Sequence, residues 1–411
     1  MELNPGTRPD ASRGTPGATH VKTFGRLSFY TLICALVVST AFFLGYTTRA
    51  THAPVTVEAT AFSVFWESWR LIDDHFYGDS SNIAARTYGA IKGSLSALGD
   101  PYTIFVEPQQ RDREQEELRG SFGGIGAWIE RKADGRIILT PMDGRPAASA
   151  GILTGDQLIA VNDTLLYPEM PFNDILAMVR GEVGEIVRLT IRREGHPDPL
   201  VFEVRRGEIV TPSVSSQLKP PDVGYIRISI FNERTNDELE VAIRNLGRVG
   251  ATKYVIDLRS NGGGLLTPAI EVASQFLEDG VVMYERRKDS EEKPYPVKKR
   301  GVAREEPVVF LVNGGTASAS EIVAGAIQDH ERGILIGTET FGKASVQLLF
   351  DLSDGSSLHV TSARWLTPNR QEIDGVGLKP DLQVELTDQD RENDRDPQLD
   401  RAIQYLQESE P

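Results

Sequence analysis

The sequence predicts a multidomain chain of mixed α/β (α+β) class. A helical N-terminal region caps an inserted domain of short strands and an α/β core, with one transmembrane helix ahead of all three. Three observations carry this expectation. Residues 27–48 contain no charged side chain, the character changes near Gly120 from charged helix to short strands and glycine turns, and from Val223 onward strands alternate with helices. At 411 residues the chain is long enough for several folding units. Its 40% hydrophobic and 25% charged residues are globular proportions, which exclude a largely disordered or polytopic membrane chain. A net charge of −15 argues against a general nucleic-acid binder, because a polyanion needs a basic face. The single cysteine, Cys34, excludes an intramolecular disulfide and a cysteine-based zinc site.

Residues 1–26 are rich in Gly, Pro, Ser and Thr and read as a disordered cytoplasmic tail. They carry Arg8, Arg13, Lys22 and Arg26 against Glu2 and Asp10, whereas the chain beyond residue 48 is strongly acidic. A run of this length rises about 33 Å as a helix, enough to cross a bilayer. The basic flank places the N-terminus inside and the acidic bulk outside. An uncleaved anchor over 27–48 is the expectation and a cleaved signal peptide its rival. An exported region without cysteine fits the bacterial envelope. That predicts a single-pass inner-membrane protein with the bulk of the chain in the periplasm or outside.

Residues 49–117 read as a helical region. Phe62, Phe65, Trp66, Trp69 and Ile72 recur at helical spacing, which predicts a packed face. A second helix over 83–98 is closed by Gly99-Asp100-Pro101, and 109–117 is a charged helix or linker. Residues 118–207 form the inserted region. The loop Gly120-Ser-Phe122-Gly123-Gly124-Ile125-Gly126 leads into a strand, and Gly155-Asp-Gln-Leu-Ile-Ala-Val-Asn162 follows further on. Together these resemble a PDZ domain. The resemblance implies that the Phe122–Gly126 loop offers backbone N–H groups to a peptide carboxylate, with the segment Phe172–Val179 as the helix lining the groove. A purely structural glycine turn and a dinucleotide-binding loop are the alternatives; against the second, the charged run 114–119 before it is no buried strand.

Residues 208–386 form the core, and 387–411 an acidic C-terminal tail with a short helix. Two strand–glycine turn–helix units stand out: strand 254–258 before Asn261-Gly262-Gly263-Gly264, and strand 308–312 before Asn313-Gly-Gly-Thr-Ala-Ser318-Ala319-Ser320-Glu321. Such turns present N–H donors and a small side chain at a helix N-terminus, where an oxyanion or a nucleophile is well served. On this segment alone, helix capping by Thr316, Ser318 or Ser320 is the preferred role. Gly337, four residues, then Gly342-Lys343 comes close to a phosphate-binding loop. However, Ala344 lacks the hydroxyl that would ligate magnesium, and 346–350 reads as a strand. His330 and His359 lie outside glycine-rich turns, where exposed or packing roles are the simpler reading; a hydrolase could instead pair serine with a lysine base, provided burial lowers the lysine pKa.

The segments "NGGTASASEIVAGAIQD" and "GTETFGKASVQ" resemble the carboxyl-terminal processing, or tail-specific, serine peptidases. "GDPYTIF", "LRSNGGGLL" and "ARWLTPNRQEIDGVGLKPDL" are similar to that family too, so the likeness runs over roughly 60–385. It implies a Ser–Lys peptidase core with Ser318 as nucleophile, Lys343 as general base and Gln347 orienting the lysine from the same strand face. Ala319 and a glycine of the Gly262–Gly263 turn would supply the oxyanion N–H donors. Gly262 stands where the family usually has proline, and Ala344 where it usually has glycine. The implied function is endopeptidase cleavage of envelope proteins recognised by their free C-termini. No cofactor is implied, and a homo-oligomer or an adaptor protein stays open as partner. A catalytically silent PDZ scaffold and a small-acyl hydrolase are the alternatives. The presence of all three catalytic residue types speaks against the first, and a peptide-docking groove against the second.

Overall fold

The computed structural model describes residues 57–78, 82–298 and 301–408. The expected tail 1–26 and transmembrane segment 27–48 lie outside them. Among the described residues no helix is long and apolar enough to cross a membrane. Residues up to Ala85 and residues from Arg86 onward form separate compact units.

In the first unit α1 spans Val57–His75. Its aromatic stripe is not the packed face that the spacing suggested. Phe62 and Trp66 are 56% and 61% exposed. The rings instead meet edge-on along their own helix, Phe65 touching Phe62, Trp66 and Trp69. Residues three and four apart on a helix are surface neighbours, so the same periodicity serves either outcome. The helix α2 (Ile83–Ser96) begins at the end of this unit.

In the second unit β1 (Ile104–Val106) and α3 (Pro108–Arg119) lead to the inserted domain. Pro108 sits where a helix tolerates a missing N–H, and Gly120 closes α3 in the left-handed region. The insertion enters by β2 (Ser121–Gly124) and then runs through β3 (Ala127–Arg131), β4 (Ile137–Pro141), the short α4 (Pro146–Ser149), β5 (Asp156–Val161), β6 (Thr164–Leu165), α5 (Phe172–Val179), β7 (Ile186–Arg192) and β8 (Leu200–Arg205). It leaves by β9 (Gly207–Val210), which pairs antiparallel with β2. One sheet runs in the order β3-β4-β5-β7-β8, so β3 is an edge strand facing α5. A self-contained core, including Leu139, Leu158, Ile175, Leu189 and Ile191, fills its interior.

The main domain continues with β10 (Val214–Lys219), β11 (Val223–Ile228), α6 (Thr235–Arg248), β12 (Lys253–Asp257), α7 (Leu266–Ser274), β13 (Val281–Arg287), β14 (Lys293–Pro296), β15 (Val308–Val312), α8 (Ala319–Asp329), β16 (Ile334–Gly337), β17 (Ser345–Asp351), β18 (Ser357–Leu366), β19 (Leu382–Gln383), α9 (Asp388–Glu392) and α10 (Pro397–Glu408). Its central sheet has the order β10-β11-β12-β15-β16-β19, parallel from β11 onward. Strands β12 and β15 are buried at every position, as strands covered on both faces must be. Helices α6, α7 and α8 cover one face. The other is covered by α10, through Ala402 and Leu406. The segment expected as an acidic tail therefore ends in a helix that completes the core. Its polar run is the connection to that helix, and its apolar face is the missing layer of the sheet. A second sheet, β1-β18-β13-β14 with β17 on β18, flanks the core.

Candidate active site

Ser318 stands between β15 and α8, at the N-cap of that helix, with φ +54° and ψ −115°. This backbone conformation is costly for a side-chain-bearing residue, and such strain persists where the surroundings over-determine it. The surroundings do so here. The residues following Ser318, Ala319 through Ile327, are all buried, which locks α8 in place. Ser318 itself is only half-buried, so its hydroxyl stays reachable. The Ala319 N–H has no hydrogen-bond partner among the described residues, as expected for the first turn of a helix.

Lys343 lies in the irregular stretch just before β17, not within the strand, yet its amine reaches Gln347 on β17. Lys343 Nζ donates to Gln347 Oε1 at 3.3 Å. A register shift between Val346 and Gln347 re-aims the strand at this point. The amine also lies 4.9 Å from the centre of the Tyr102 ring. The Gln347 amide donates in turn to the Tyr102 carbonyl, so the segment just before β1 completes the lysine's surroundings. Burial holds the Lys343 amine below the ordinary lysine pKa, and the negative charge of Asp100 opposes part of that effect. The Ser318 hydroxyl makes no hydrogen bond to the Lys343 amine in this structure.

What joins the two residues is a carboxylate. Glu321, fully buried in the first turn of α8, accepts through Oε2 from the Ser318 N–H and the Lys343 N–H, both at 2.9 Å. The backbone nitrogens of the two residues therefore lie within twice that distance of each other. Through Oε1 it accepts from Gly342 N–H at 2.7 Å and from the Thr340 hydroxyl. Gly342 has φ +85°, and a Cβ there would come within 2.9 Å of backbone atoms of Ile373, Val376 and Gly377, so only glycine fits. The Lys343 carbonyl accepts from Trp365 Nε1 at 3.2 Å. The element directly after Lys343 is the strand β17 and not a helix, so the near-match to a phosphate loop has no structural counterpart.

The glycine turn after β12 lies directly behind Ser318. A Cβ on Gly263, where φ is +109°, would meet Ser318 Cβ at 3.0 Å and Ala319 N at 3.1 Å. The Gly263 N–H donates to Asn261 Oδ1 at 2.9 Å, so of the two glycines proposed as oxyanion donors Gly262 has the free N–H among the described residues. Asn261 ties the turn to the serine segment: its carbonyl accepts from Ala317 N–H at 3.0 Å and from Ser320 Oγ at 2.9 Å. His330 and His359 have partners of their own. His330 Nε2 meets the Val281 carbonyl at 2.9 Å, and His359 faces Glu114 at 3.5 Å.

In the inserted domain a groove of about 530 Å³ runs between β3 and α5, lined by Phe122, Ile125, Gly126, Trp128, Phe172 and Leu176 among others. Gly123 and Gly124 belong to β2 at its entrance. The N–H groups of Ile125 and Gly126 have no partner among the described residues. Their free donors and the unpaired edge of β3 are what an extended peptide ending in a carboxylate requires. Arg180, at the C-cap of α5, lies 4.2 Å from the Phe122 ring and donates to Glu116 at 2.7 Å.

Glu321, Asn261, Tyr102 and Arg180 were not singled out from sequence. For Glu321 a signal existed: Ser318-x-x-Glu321 is a capping-box pattern. The others act at the sites through residues distant in sequence.

Residues 222–384 match peptidase family S41, and residues 137–193 match a PDZ domain. The chain is 35% identical over 367 residues to the carboxy-terminal processing protease CtpA of Bacillus subtilis, covering 88% of this chain and 78% of that one. It is 36% identical over 301 residues to a carboxy-terminal-processing protease of Bartonella bacilliformis, covering 72% and 69%. Among solved structures it is similar to a photosystem II D1 C-terminal processing protease, with 30% identity, 77% and 86% coverage and a TM-score of 0.45.

Proposed function

The chain belongs to the carboxyl-terminal processing proteases of peptidase family S41, serine-type enzymes that here carry a PDZ domain, and from that premise we propose a Ser318–Lys343 dyad acting on proteins whose free C-termini dock in the PDZ groove. Ser318 Oγ attacks the scissile carbonyl while the neutral Lys343 amine takes its proton. The oxyanion formed is held by the Ala319 N–H and by the Gly262 N–H. When the tetrahedral intermediate collapses, the C–N bond breaks and Lys343 returns the proton to the leaving amine. A water activated by the same lysine then hydrolyses the acyl-enzyme and frees Ser318. Gln347 keeps the amine in place, and burial lowers the amine's pKa and so enlarges its neutral fraction.

The observation that carries this reading is the placement of Glu321, which holds the backbones of Ser318 and Lys343 through one oxygen. The test is digestion of an unfolded reporter with an apolar C-terminus by wild type and by Ser318→Ala. Loss of cleavage in the folded variant supports the assignment, and retained cleavage removes it. The proposal extends to location: residues 27–48 anchor the chain in the inner membrane, with the peptidase on the envelope side. The support is the uncharged run behind a basic N-terminus. Peptides from upstream of Leu27 in membrane-extracted protein would agree with a retained anchor, and an N-terminus near Ala50 would contradict it.

A further inference from the structure

We propose that Asp396, at the head of the C-terminal helix α10, is a positioning residue for the oxyanion turn, acting through the buried guanidinium of Arg259. The inference rests on the assignment of Ser318 as nucleophile.

The turn behind Ser318 grows out of β12, whose last residue, Asp257, is fully buried. Two residues on, Arg259 folds back and donates Nε and Nη2 to the Asp257 carboxylate at 2.9 and 2.7 Å. The other side of the same fork is taken by Asp396: Nη1 and Nη2 donate to its two oxygens, both at 2.8 Å. Gln398 Oε1 accepts a further bond from Nη1 at 2.9 Å, and the Tyr225 hydroxyl donates to Asp257 at 2.7 Å. All five guanidinium hydrogens can be used in this arrangement, which fixes the plane of the group as well as its position.

What Arg259 holds is the start of the catalytic turn. Ser260 follows with φ +58°, its N–H donating to Asn313 Oδ1 at 2.8 Å. Asn261 then makes the contacts to Ala317 and Ser320 described above, and Gly263 abuts Ser318. Asp396 thus reaches Ser318 through one buried side chain and one four-residue turn.

A purely stabilising role explains this poorly. Asp257 alone balances the charge of Arg259, and Asp396, whose side chain is one-third exposed, adds net negative charge in a partly solvated pair of the kind that contributes little stability. Nor is Asp396 needed to dock α10, because Ala402 and Leu406 already bury its apolar face. Asp396 also caps the helix, its Oδ1 accepting from the Leu399 N–H at 3.0 Å. That second role can be separated, since serine caps a helix about as well as aspartate but cannot reach the guanidinium as a bidentate partner.

The experiment uses the full chain with Asp396→Ser, Asp396→Glu and Ser318→Ala. Three quantities are measured: kcat and KM on the unfolded reporter, the rate at which a fluorophosphonate labels the nucleophile, and the final stoichiometry of label. Since a displacement of about 1 Å can cost about 10²-fold in rate, Asp396→Ser should lower kcat and the labelling rate about tenfold. KM and the final stoichiometry should stay unchanged, and Asp396→Glu should recover part of the loss. A wild-type labelling rate in Asp396→Ser overturns the proposal. So does a fall in stoichiometry with an unchanged rate per labelled site, the signature of a merely structural role. Should Asp396→Ser not fold, Asp396→Asn, which retains the cap and one guanidinium contact, carries the same readouts. Label appearing on Ser318→Ala would instead remove the nucleophile assignment itself.

Discussion

The peptidase core and the PDZ domain each build a site around a glycine turn with free backbone donors, and they differ in how much of the surrounding polar network is already committed. Around Ser318 the network is committed except for the Ala319 and Gly262 N–H groups: Glu321 takes four donors, Asn261 takes three, and Gly263 abuts the serine. In the groove between β3 and α5 the Ile125 and Gly126 N–H groups and a whole strand edge stay open. A catalytic site must hold its side chains in one geometry before the substrate arrives, whereas a docking site must keep its hydrogen bonds free for the ligand. Damage to the first should therefore appear in kcat, and damage to the second in KM.

The largest departure is expected at Glu321. Glu321→Gln turns an NH₂ group toward donors that now lack an acceptor, displacing Ser318 and Lys343 together. Turnover of the unfolded reporter should fall about 10³-fold, with a lowered melting temperature, because unmet buried donors cost about 1–3 kcal/mol each. Next is Gly263→Ala, whose new methyl collides with Ser318 and Ala319 in a backbone conformation that disfavours it. It should lower kcat about 10²-fold with KM little changed, as steady-state kinetics would reveal. A smaller effect, about tenfold in kcat, is expected for Gln347→Ala, which frees the lysine without removing the proton acceptor. The comparison predicts the reverse pattern for the groove. Amidating the C-terminus of the substrate should raise KM about tenfold while kcat holds. An unchanged KM would mean that the Phe122–Gly126 loop does not bind the carboxylate.

The sequence made some of this legible and hid the rest for a physical reason. The groove helix Phe172–Val179 and the two strand–glycine turn–helix units could be read because their signals are local: periodicity, turn residues and caps. The bond from Gln347 to the Tyr102 carbonyl joins residues 245 apart, and the Arg259–Asp396 pair joins residues 137 apart. No local pattern encodes such meetings. The aromatic stripe of α1 and the helix at the C-terminus fail in complementary ways. Each shows an amphipathic period, but the period does not say whether a partner surface exists, and only the second is buried against a sheet.

That Lys343 is the proton acceptor is tested most directly by turnover of the unfolded reporter against pH for wild type and Lys343→Arg. Burial lowers the lysine pKa, so the neutral, active form gains population as pH rises through that lowered value and is lost below it. The wild-type profile should rise along a limb below the ordinary lysine range. Lys343→Arg, which keeps the charge but cannot become neutral in this range, should lack the limb and turn over about 10²–10⁴-fold more slowly, while His330→Ala retains most of its activity. Near-wild-type turnover by Lys343→Arg with the limb intact, or a folded but inactive His330→Ala, would contradict the claim.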